Sequence, residues 1–412
     1  VGPLEQIAAE MDGKRVIQVG DLPRFCGGAV GYLSYETINR FEDVPSPEPD
    51  PLDLPESFFM FADTMLVFDH VTHKIKVMSL VNLNGDIAGE YDKAVEKIEA
   101  LIARLNEPLK PSTRSAATAG NTQNGTVISN FSKKEFEAAV ETIKGYITEG
   151  EAIQVVLSQR MAKRTNIEPF EIYRALRSIN PSPYMFFMDF VDFQIVGASP
   201  EILVRVEDGM VMTRPLAGTR PRGGNQEEDA VLEQELRNDE KEKAEHIMLV
   251  DLGRNDIGRV SEPGSVDVRD LMDVERYSHV MHLVTHVEGT LRRDLTAFDA
   301  LGACFPAGTV SGAPKIRAME IIAELEPEKR GPYAGAAGYF SFTGNMDMAI
   351  AIRTMVVKDG TVYVQAGCGI VYDSVPEREY EETMNKAMAQ LKAIDQAENR
   401  QMKGGSEHAV ID

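Results

Sequence analysis

The predicted strands of this chain come in groups between helices and do not alternate strictly with them. Apolar patterning predicts strands at residues 152–161, 185–189, 193–198, 202–206, 210–214, 335–342, 347–356 and 361–368. Apolar residues at helical spacing predict helices at residues 168–178, 226–252, 295–303, 313–325 and 377–396. This grouping favours an α+β protein, in which sheets pack together and helices lie outside, over a parallel βαβ fold.

Changes in composition divide the 412 residues into four stretches. Residues 1–103 form an N-terminal region of mixed strands and helix. Residues 104–130 are rich in Pro, Ser, Thr, Asn and Gly, which predicts a flexible linker or loop. Residues 131–397 are dense in predicted structure, starting at a capping box at 132–135, and the polar residues 398–412 are expected to form a mobile tail.

Composition also excludes several classes of partner. Lys and Arg number 43 and Asp and Glu number 65, so the net charge of −22 disfavours nucleic acids and lipid surfaces. No stretch is long and apolar enough to span a membrane, and no signal peptide begins the chain. Three cysteines fit a reducing compartment, which predicts a cytoplasmic protein. Because residue 1 is Val rather than Met, an N-terminal truncation is expected.

Two pairs of glutamates recur at the same helical spacing. Glu242 and Glu245 share one face of a predicted helix, and Glu379 and Glu382 share a face of the last helix, one turn before Lys386. Carboxylates held in this way can bind Mg²⁺, which prefers oxygen ligands. From spacing alone, two solvated helix faces are the favoured interpretation in so acidic a chain, and a metal site is the less favoured one.

Three glycine-rich segments, at 214–223, 305–315 and 365–369, adjoin predicted strands or helices. Such loops expose backbone N–H groups that suit a small anionic ligand, although each loop by itself fits a tight turn. Arg353 ends an apolar run, so a buried strand arginine is expected there. Its partner would be either a carboxylate ligand or an internal acidic residue. Cys304 lacks the small-residue setting of a glutaminase nucleophile, so no glutaminase is expected.

The histidines at 279, 282 and 286 have zinc-like spacing on a helix, but their β-branched neighbours favour a strand. On a strand His279 points away from the other two, so a zinc triad is disfavoured. A functional His282 and a merely packed histidine both fit this position.

Taken in order, ten segments of the chain resemble the chorismate-utilising enzymes, most closely their anthranilate synthase component I branch. The likeness runs from about Phe131 to Gln396 and is weaker over residues 1–103. The segments are Ile179–Phe187, Gly197–Glu201, Arg214–Gly223, Ala244–His246, Asp251–Asp256, Phe305–Lys315, Gly331–Gly335, Ala349–Thr354, Gln365–Gly369 and Pro376–Thr383.

The resemblance implies a layered α/β/β/α sandwich of two packed sheets with outer helices and the active site between the sheets. It also implies binding of chorismate together with Mg²⁺. By motif, Glu245 and Glu382 correspond to direct metal ligands, and Glu242 and Glu379 to supports that act through water. A cation would offset the repulsion between dianionic chorismate and this acidic protein.

The remaining site residues are also implied by the resemblance. Those near the substrate's carboxylate and ring are Gly218, Thr219, Thr309, Tyr333, Arg353, Gly367, Gly369 and Lys386. Glu201 is similar to the family's acid near the departing hydroxyl, which requires a raised pKa. His282 is similar to the histidine of the second step, and its ordinary pKa suits proton transfer near neutral pH.

Two positions separate the branches of the family. Members that add water carry a lysine where this chain has Gln154, and an amide cannot serve as that base. Aminodeoxychorismate synthases often carry a nucleophilic lysine where this chain has Ala217. The expected reaction is therefore ammonia addition at ring C2, loss of the C4 hydroxyl and elimination of pyruvate to give anthranilate. A separate glutamine amidotransferase subunit would supply the ammonia.

Three alternatives remain: a synthase that stops at 2-amino-2-deoxyisochorismate, an aminodeoxychorismate synthase, and a catalytically silent chorismate- or tryptophan-binding regulator. A feedback site for tryptophan is implied at Asn180, Pro181, Ser182, Tyr184 and Met185. Its second part in the family, a Leu-Leu-Glu-Ser segment, is expected upstream of residue 1. The resemblance therefore leaves tryptophan inhibition of this chain open.

Overall fold

The computed structural model describes residues 2–17, 20, 22–108, 125–277 and 280–407, with side chains described as far as residue 401. His279, most of the predicted linker and the last five residues of the predicted tail lie outside the described residues. No described helix is both long enough and apolar enough to cross a membrane.

The described residues form helices and strands along the whole chain. The helices are α1 (Pro3–Met11), a 3₁₀ helix (Tyr35–Arg40), α2 (Ile87–Asn106), α3 (Lys133–Thr148), α4 (Pro169–Ile179), α5 (Gln226–Asn238), α6 (Glu240–Gly258), α7 (Ala297–Cys304), α8 (Gly308–Ser311), α9 (Lys315–Leu325) and α10 (Pro376–Glu407). The strands are β1 (Gly28–Leu33), β2 (Ser57–Ala62), β3 (Thr64–Asp69), β4 (Lys74–Ser79), β5 (Ile128–Ser129), β6 (Gln154–Arg164), β7 (Tyr184–Asp189), β8 (Phe193–Ser199), β9 (Ile202–Glu207), β10 (Met210–Thr213), β11 (Leu216–Pro221), β12 (Asp267–Arg276), β13 (Val280–Thr290), β14 (Gly312–Ala313), β15 (Ala336–Ser341), β16 (Met346–Ile350), β17 (Thr354–Lys358) and β18 (Thr361–Ile370).

Two large antiparallel sheets organise these strands in the described part of the chain. The first has the order β11-β13-β10-β9-β16-β15-β1-β2, with β12 paired to β13 outside that path. The second has the order β14-β6-β18-β17-β8-β7, with β5 paired to β6. Strands β3 and β4 form a separate hairpin.

Apolar side chains join the two sheets to each other and to the helices. Tyr32 and Ala337 of the first sheet cluster with Phe193 and Ile195 of the second. Helices α6 and α7 pack on the first sheet, while α3, α4, α9 and α10 pack on the second. Helices therefore cover the outer faces of two packed sheets, which confirms the predicted α+β fold and its α/β/β/α layering.

The sheets cross the boundary suggested by composition, because β1 and β2 extend the first sheet beside β15. The last helix continues to Glu407, through the first ten residues of the predicted tail. The division into four stretches thus stays a prediction. In the structure, strands of the first stretch share a sheet with strands of the third, and the last helix runs from the third stretch into the fourth.

Three of the predicted features differ in the structure. The predicted helix at 226–252 is two helices, because Asp239 ends one and caps the next by accepting from the N–H groups of Lys241 and Glu242. The predicted strand at 347–356 is also two strands, which lie in different sheets. Between them Arg353 adopts a left-handed backbone with φ of 52°. The predicted turn at 214–223 contains a strand, β11, whose residues pair with β13 on both sides of a bulge at Gly218.

Candidate active site

The first acidic pair lies on the opening turns of α6. Arg220 on β11 donates to Asp239 over 2.7 Å and to Glu242 over 3.5 Å, so it holds this helix end against the sheet. Burial raises the pKa of Glu242, and the negative charge of Glu245 raises it further. The pair is therefore a site of incompletely compensated negative charge.

The second acidic pair lies on the opening turns of α10. Burial raises the pKa of Glu379, contacts with Ser374 and Cys368 oppose this rise, and the charge of Glu382 adds to it. Glu382 forms a salt bridge of 2.7 Å with Lys386, one turn along the helix. The sequence predicted that Glu379 and Glu382 share one face of a helix. In the structure this face lies beside the end of β18.

Gln154 lies between the first acidic pair and the end of β18. Its Nε2 group donates to Glu245 over 3.2 Å, while its Oε1 atom is buried with no hydrogen-bond partner among the described residues. The same amide lies against Gly369, where a Cβ atom would come within 2.2 Å of Nε2. Gly369 therefore gives the Gln154 side chain its space.

The donors at this site suit a hard divalent cation. Carboxylates dominate, and the orphaned amide oxygen of Gln154 adds another oxygen donor. Among the described side chains, however, no group of three or more His, Cys, Asp and Glu residues lies close enough to hold a metal ion by itself. The residues thus fit Mg²⁺ in their chemistry, with ligands from substrate and water still required.

A cationic region adjoins the acidic pairs. Lys386 donates to the carbonyl oxygen of Gly367 over 3.0 Å, and Arg353 donates to the carbonyl oxygen of Lys386 over 2.7 Å. Burial lowers the pKa of Arg353, and the nearby charge of Glu382 opposes this effect. At Gly367 a Cβ atom would lie 2.7 Å from the hydroxyl of Tyr333. These residues therefore surround one small region.

His282 projects from β13 toward a bulge in β11. A carbonyl oxygen can only accept, so the 2.9 Å contact with Gly218 places the hydrogen on Nδ1. Thr219 Oγ1 lies 3.2 Å from the same nitrogen. Burial lowers the pKa of His282, partly opposed by this bond and reinforced by the charge of Arg353. The ring is therefore neutral near pH 7 and presents Nε2 as its basic atom.

Glu201 is a buried carboxyl group at the start of β9. Burial raises its pKa to about 8, although Thr309 and the positive charge of Lys386 oppose the rise. A cavity of about 40 Å³ is lined by both Glu201 and Thr309. At neutral pH the group is therefore protonated and can donate.

The five residues of the implied feedback site lie elsewhere. Tyr184 donates to Asp347 over 3.0 Å and accepts from Arg205 over 3.1 Å, which links β7 to the first sheet. Met185 packs in the core beneath α4 and α10. Asn180 caps the C-terminal end of α4, and the remaining two residues, Pro181 and Ser182, follow it. This group is distinct from the acidic pairs.

Arg220 and Asp239 help to build the site but were not predicted as site residues from the sequence. Arg220 and Asp239 act across a distance of nineteen positions, and neither helical nor strand spacing relates them. Asp239 could have been found as a helix cap, because an aspartate at a helix start accepts from backbone N–H groups. Arg220 lay in a glycine-rich segment that fitted a tight turn, and its contact with Asp239 depends on the packing of α6 against β11.

Comparison with known proteins places this geometry in context. The chorismate binding enzyme family matches residues 3–392. Anthranilate synthase component 1 of Acetivibrio thermocellus is 55% identical over 397 residues, covering 96% of this chain and 80% of that protein. The crystal structure of anthranilate synthase component I from Streptococcus pneumoniae TIGR4 has a TM-score of 0.83 at 44% identity, covering 95% of this chain and 85% of that one.

A more distant structure shares the fold. The menaquinone-specific isochorismate synthase of Escherichia coli has a TM-score of 0.72 at 22% identity, covering 95% of this chain and 81% of that one. The match to the family extends over nearly the whole chain, through every element that carries the acidic pairs, Glu201 and His282. The chain belongs to the family of chorismate binding enzymes.

Proposed function

We propose that this chain converts chorismate and ammonia to anthranilate and pyruvate, with Mg²⁺ and through 2-amino-2-deoxyisochorismate, as component I of an anthranilate synthase. Relatives about half identical over most of the chain carry that name. A separate component II would release ammonia from glutamine. The proposal also places the chain in the cytoplasm, which its three buried free cysteines support.

The raised pKa of Glu201 is the observation that carries the proposal. Loss of the C4 hydroxyl needs an acid, and a carboxyl group with a pKa of about 8 retains its proton at neutral pH. Thr309 and Lys386 flank this group. In this proposal Glu201 protonates the departing oxygen while the amine adds at C2.

His282 supplies the complementary function. Elimination of pyruvate requires removal of the proton at C2, and the neutral ring presents Nε2 as a base. The bond to Gly218 and the contact with Thr219 hold that tautomer in place. The same two residues, Gly218 and Thr219, are proposed to contact the substrate ring.

The substrate's carboxylates would be held by charge and by backbone. Arg353, Tyr333 and the backbone at Gly367 and Gly369 are proposed to bind the pyruvyl carboxylate, with Lys386 nearby. Arg353 is partly buried and donates to one carbonyl oxygen, so its guanidinium still has donors for an anion. Because Gly367 and Gly369 lack side chains, the side chains of Tyr333 and Gln154 can lie directly against this part of β18.

Mg²⁺ is proposed to bind Glu245 and Glu382 directly and Glu242 and Glu379 through water. When bound, the cation would neutralise a substrate carboxylate and polarise it. Burial raises the pKa of Glu242 and of Glu379, and the charge of the neighbouring glutamate adds to each rise. A cation would offset both effects, which supports this assignment.

Two side chains support the ammonia-dependent branch. Gln154 donates to Glu245, and an amide cannot activate water as a base. Ala217 is buried on β11 and offers no nucleophile. We also propose that Asn180, Pro181, Ser182, Tyr184 and Met185 form this chain's part of a tryptophan feedback site.

The test is to incubate the chain with chorismate, Mg²⁺ and ammonium at mildly alkaline pH and to follow anthranilate fluorescence. The chain contains no tryptophan, so its own emission interferes little. Anthranilate with equimolar pyruvate is expected. Accumulation of 2-amino-2-deoxyisochorismate without anthranilate would favour the synthase that stops at this intermediate. If no chorismate is consumed, the catalytically silent binding protein is favoured.

A further inference from the structure

Arg330 is a buried arginine for which the proposed reaction has no use. It is 2% exposed, and its guanidinium donates to Glu326 over 2.8 and 2.6 Å. A buried ion pair is weak evidence for stability, because desolvation costs about as much as the pairing returns. Stability alone therefore does not explain Arg330, whose hydrogen bonds connect several segments of the chain.

Arg330 binds the backbone directly beside two proposed site residues. One nitrogen donates to the carbonyl oxygen of Val310 over 2.7 Å, and Val310 follows Thr309. Another donates to the carbonyl oxygen of Val156 over 2.7 Å, two residues after Gln154 on β6. The guanidinium thus fixes the distance between two segments that reach the site.

Its partner Glu326 extends the connection to β18. Glu326 accepts from both the N–H and the hydroxyl group of Ser158 over 2.8 Å. The Ser158 hydroxyl in turn accepts from Gln365 over 2.9 Å, two residues before Gly367. A third site segment is therefore tied to the same buried charge.

Two aromatic rings enclose the guanidinium. Its central carbon lies 4.7 Å from the ring centre of Tyr35 and 5.6 Å from that of Tyr333. Both distances fall within the range of cation–π attraction, and both rings are buried. Tyr333, which lies against Gly367, is thereby held by the cation on its far side.

The N-terminal part of the chain holds the same loop from outside. The Glu36 carboxylate accepts from the backbone N–H group of Arg330 over 2.7 Å and from that of Gly331 over 3.1 Å. The N–H group of Tyr35 donates to the carbonyl oxygen of Gly331 over 2.8 Å. The 3₁₀ helix is therefore hydrogen-bonded to the loop that leads to Tyr333.

We propose that Arg330 is a positioning residue which, with Tyr35 and Glu36 of the N-terminal region, sets the place of Tyr333 and so the affinity for the substrate's pyruvyl carboxylate. The inference rests on the proposed function through the role given to Tyr333. The N-terminal region then acts in substrate binding as well as in completing a sheet.

Substitution at Tyr35 tests the proposal without removing a buried charge. Tyr35→Leu removes the ring that faces Arg330, and we expect KM for chorismate to rise roughly tenfold with kcat little changed. Tyr35→Phe keeps the ring and loses only a hydroxyl that has no hydrogen-bond partner among the described residues. This variant should therefore keep most of the affinity of the unsubstituted chain for chorismate. Arg330→Lys, which keeps the charge but not the planar fork, should also raise KM.

Lys163→Met is the matched control. Lys163 is a buried cation on the same strand as Gln154, with its side chain 4% exposed, and it pairs with Asp395 and Glu398. It lies about 30 Å along the strand from Gln154. This variant should lower Tm without changing KM.

Binding should be measured beside turnover, by calorimetric titration of chorismate with Mg²⁺ and no ammonium. A higher Kd for Tyr35→Leu, with Kd unchanged for Lys163→Met, supports the proposal even if the unsubstituted chain makes no anthranilate. That last result would count against the proposed function alone. If Tyr35→Leu and Arg330→Lys lower Tm while Kd and KM stay at the unsubstituted values, Arg330 has a structural role only and the proposal is overturned.

Discussion

The Nδ1–H group of His282 donates to the carbonyl oxygen of Gly218 over 2.9 Å, at the bulge where β11 pairs with β13. Gly218 has φ of 70°, and a Cβ atom there would come within 2.8 Å of Leu236. A single glycine conformation thus orients both the carbonyl and the imidazole that it binds. The tautomer of His282 is therefore set by backbone geometry.

His282→Met should uncouple the two steps of the reaction. Addition of ammonia does not need the imidazole in this proposal, whereas removal of the C2 proton does. The variant should consume chorismate and accumulate 2-amino-2-deoxyisochorismate, with anthranilate formation reduced roughly 10²-fold or more. Chromatography with mass detection resolves the two products. Equal loss of chorismate consumption and anthranilate formation would assign His282 to an earlier step or to packing.

The pH dependence should report Glu201. An acid with a raised pKa is protonated below that value and loses its proton above it, so kcat/KM, which reports groups of the free enzyme, should fall as pH rises through about 8. Free ammonia must be held constant, since its fraction rises over the same range. Glu201→Gln should lose roughly 10²–10⁴-fold in kcat and should also lose this alkaline limb. If the activity of the variant still falls at alkaline pH, a group other than Glu201 causes that fall.

The four glutamates should differ in their need for metal. Glu245→Gln and Glu382→Gln each remove a negative charge from the proposed direct ligands and should abolish measurable turnover in a folded protein. Glu242→Gln and Glu379→Gln should show milder losses that added Mg²⁺ partly corrects. A Mg²⁺-dependent rise in Tm, present in the unsubstituted chain and absent in Glu245→Gln, provides a readout without turnover. Four variants with normal activity at limiting Mg²⁺ would refute the assignment.

Gly369→Ala should disrupt the site by displacing the Gln154 amide. The added methyl group would lie 2.2 Å from Nε2, so the bond from that amide to Glu245 must break or shift. We expect at least a tenfold loss of kcat/KM with the fold retained. Gly145→Ala is the control, since its exposed helical position has no atom within 4 Å. It should raise the free energy of unfolding by about 0.5–1 kcal/mol and leave kinetics unchanged.

Glutamine should support turnover only with a second subunit present. Cys304 is buried, and burial raises its pKa to about 12, so its thiol is not poised as a nucleophile. The purified chain should therefore be active with ammonium and inactive with glutamine. Steady glutamine-dependent anthranilate formation by the chain alone, with ammonium removed enzymatically, would contradict this.

The parts of the site that follow from local spacing could be predicted from the sequence. Glu379 and Glu382 share a helix face because residues three apart lie on one side of an α-helix. The capping box at Ser132 likewise marked the start of α3, which the structure confirms. Fold class followed from the grouping of strands between helices, since layers of sheet and helix are the few ways to bury such elements.

The parts that depend on chain pairing could not be predicted in this way. Arg353 looked like a residue within one strand, because an apolar pattern does not show where the chain leaves one sheet for another. Its left-handed backbone is set by that crossing. Gln154 and Glu245 meet across 91 positions, and only the paired sheets bring them together.

The pairing of β1 with β15 also has a consequence for how this protein is made. Residues 28–33 leave the ribosome about three hundred residues before their partners at 336–341, so the first sheet cannot close until those partners have been made. Contacts of such long sequence separation form slowly and leave strand edges exposed meanwhile. The nascent chain should therefore depend on protection from aggregation while the intervening residues are made, because the edge of β1 stays unpaired on that side during this time.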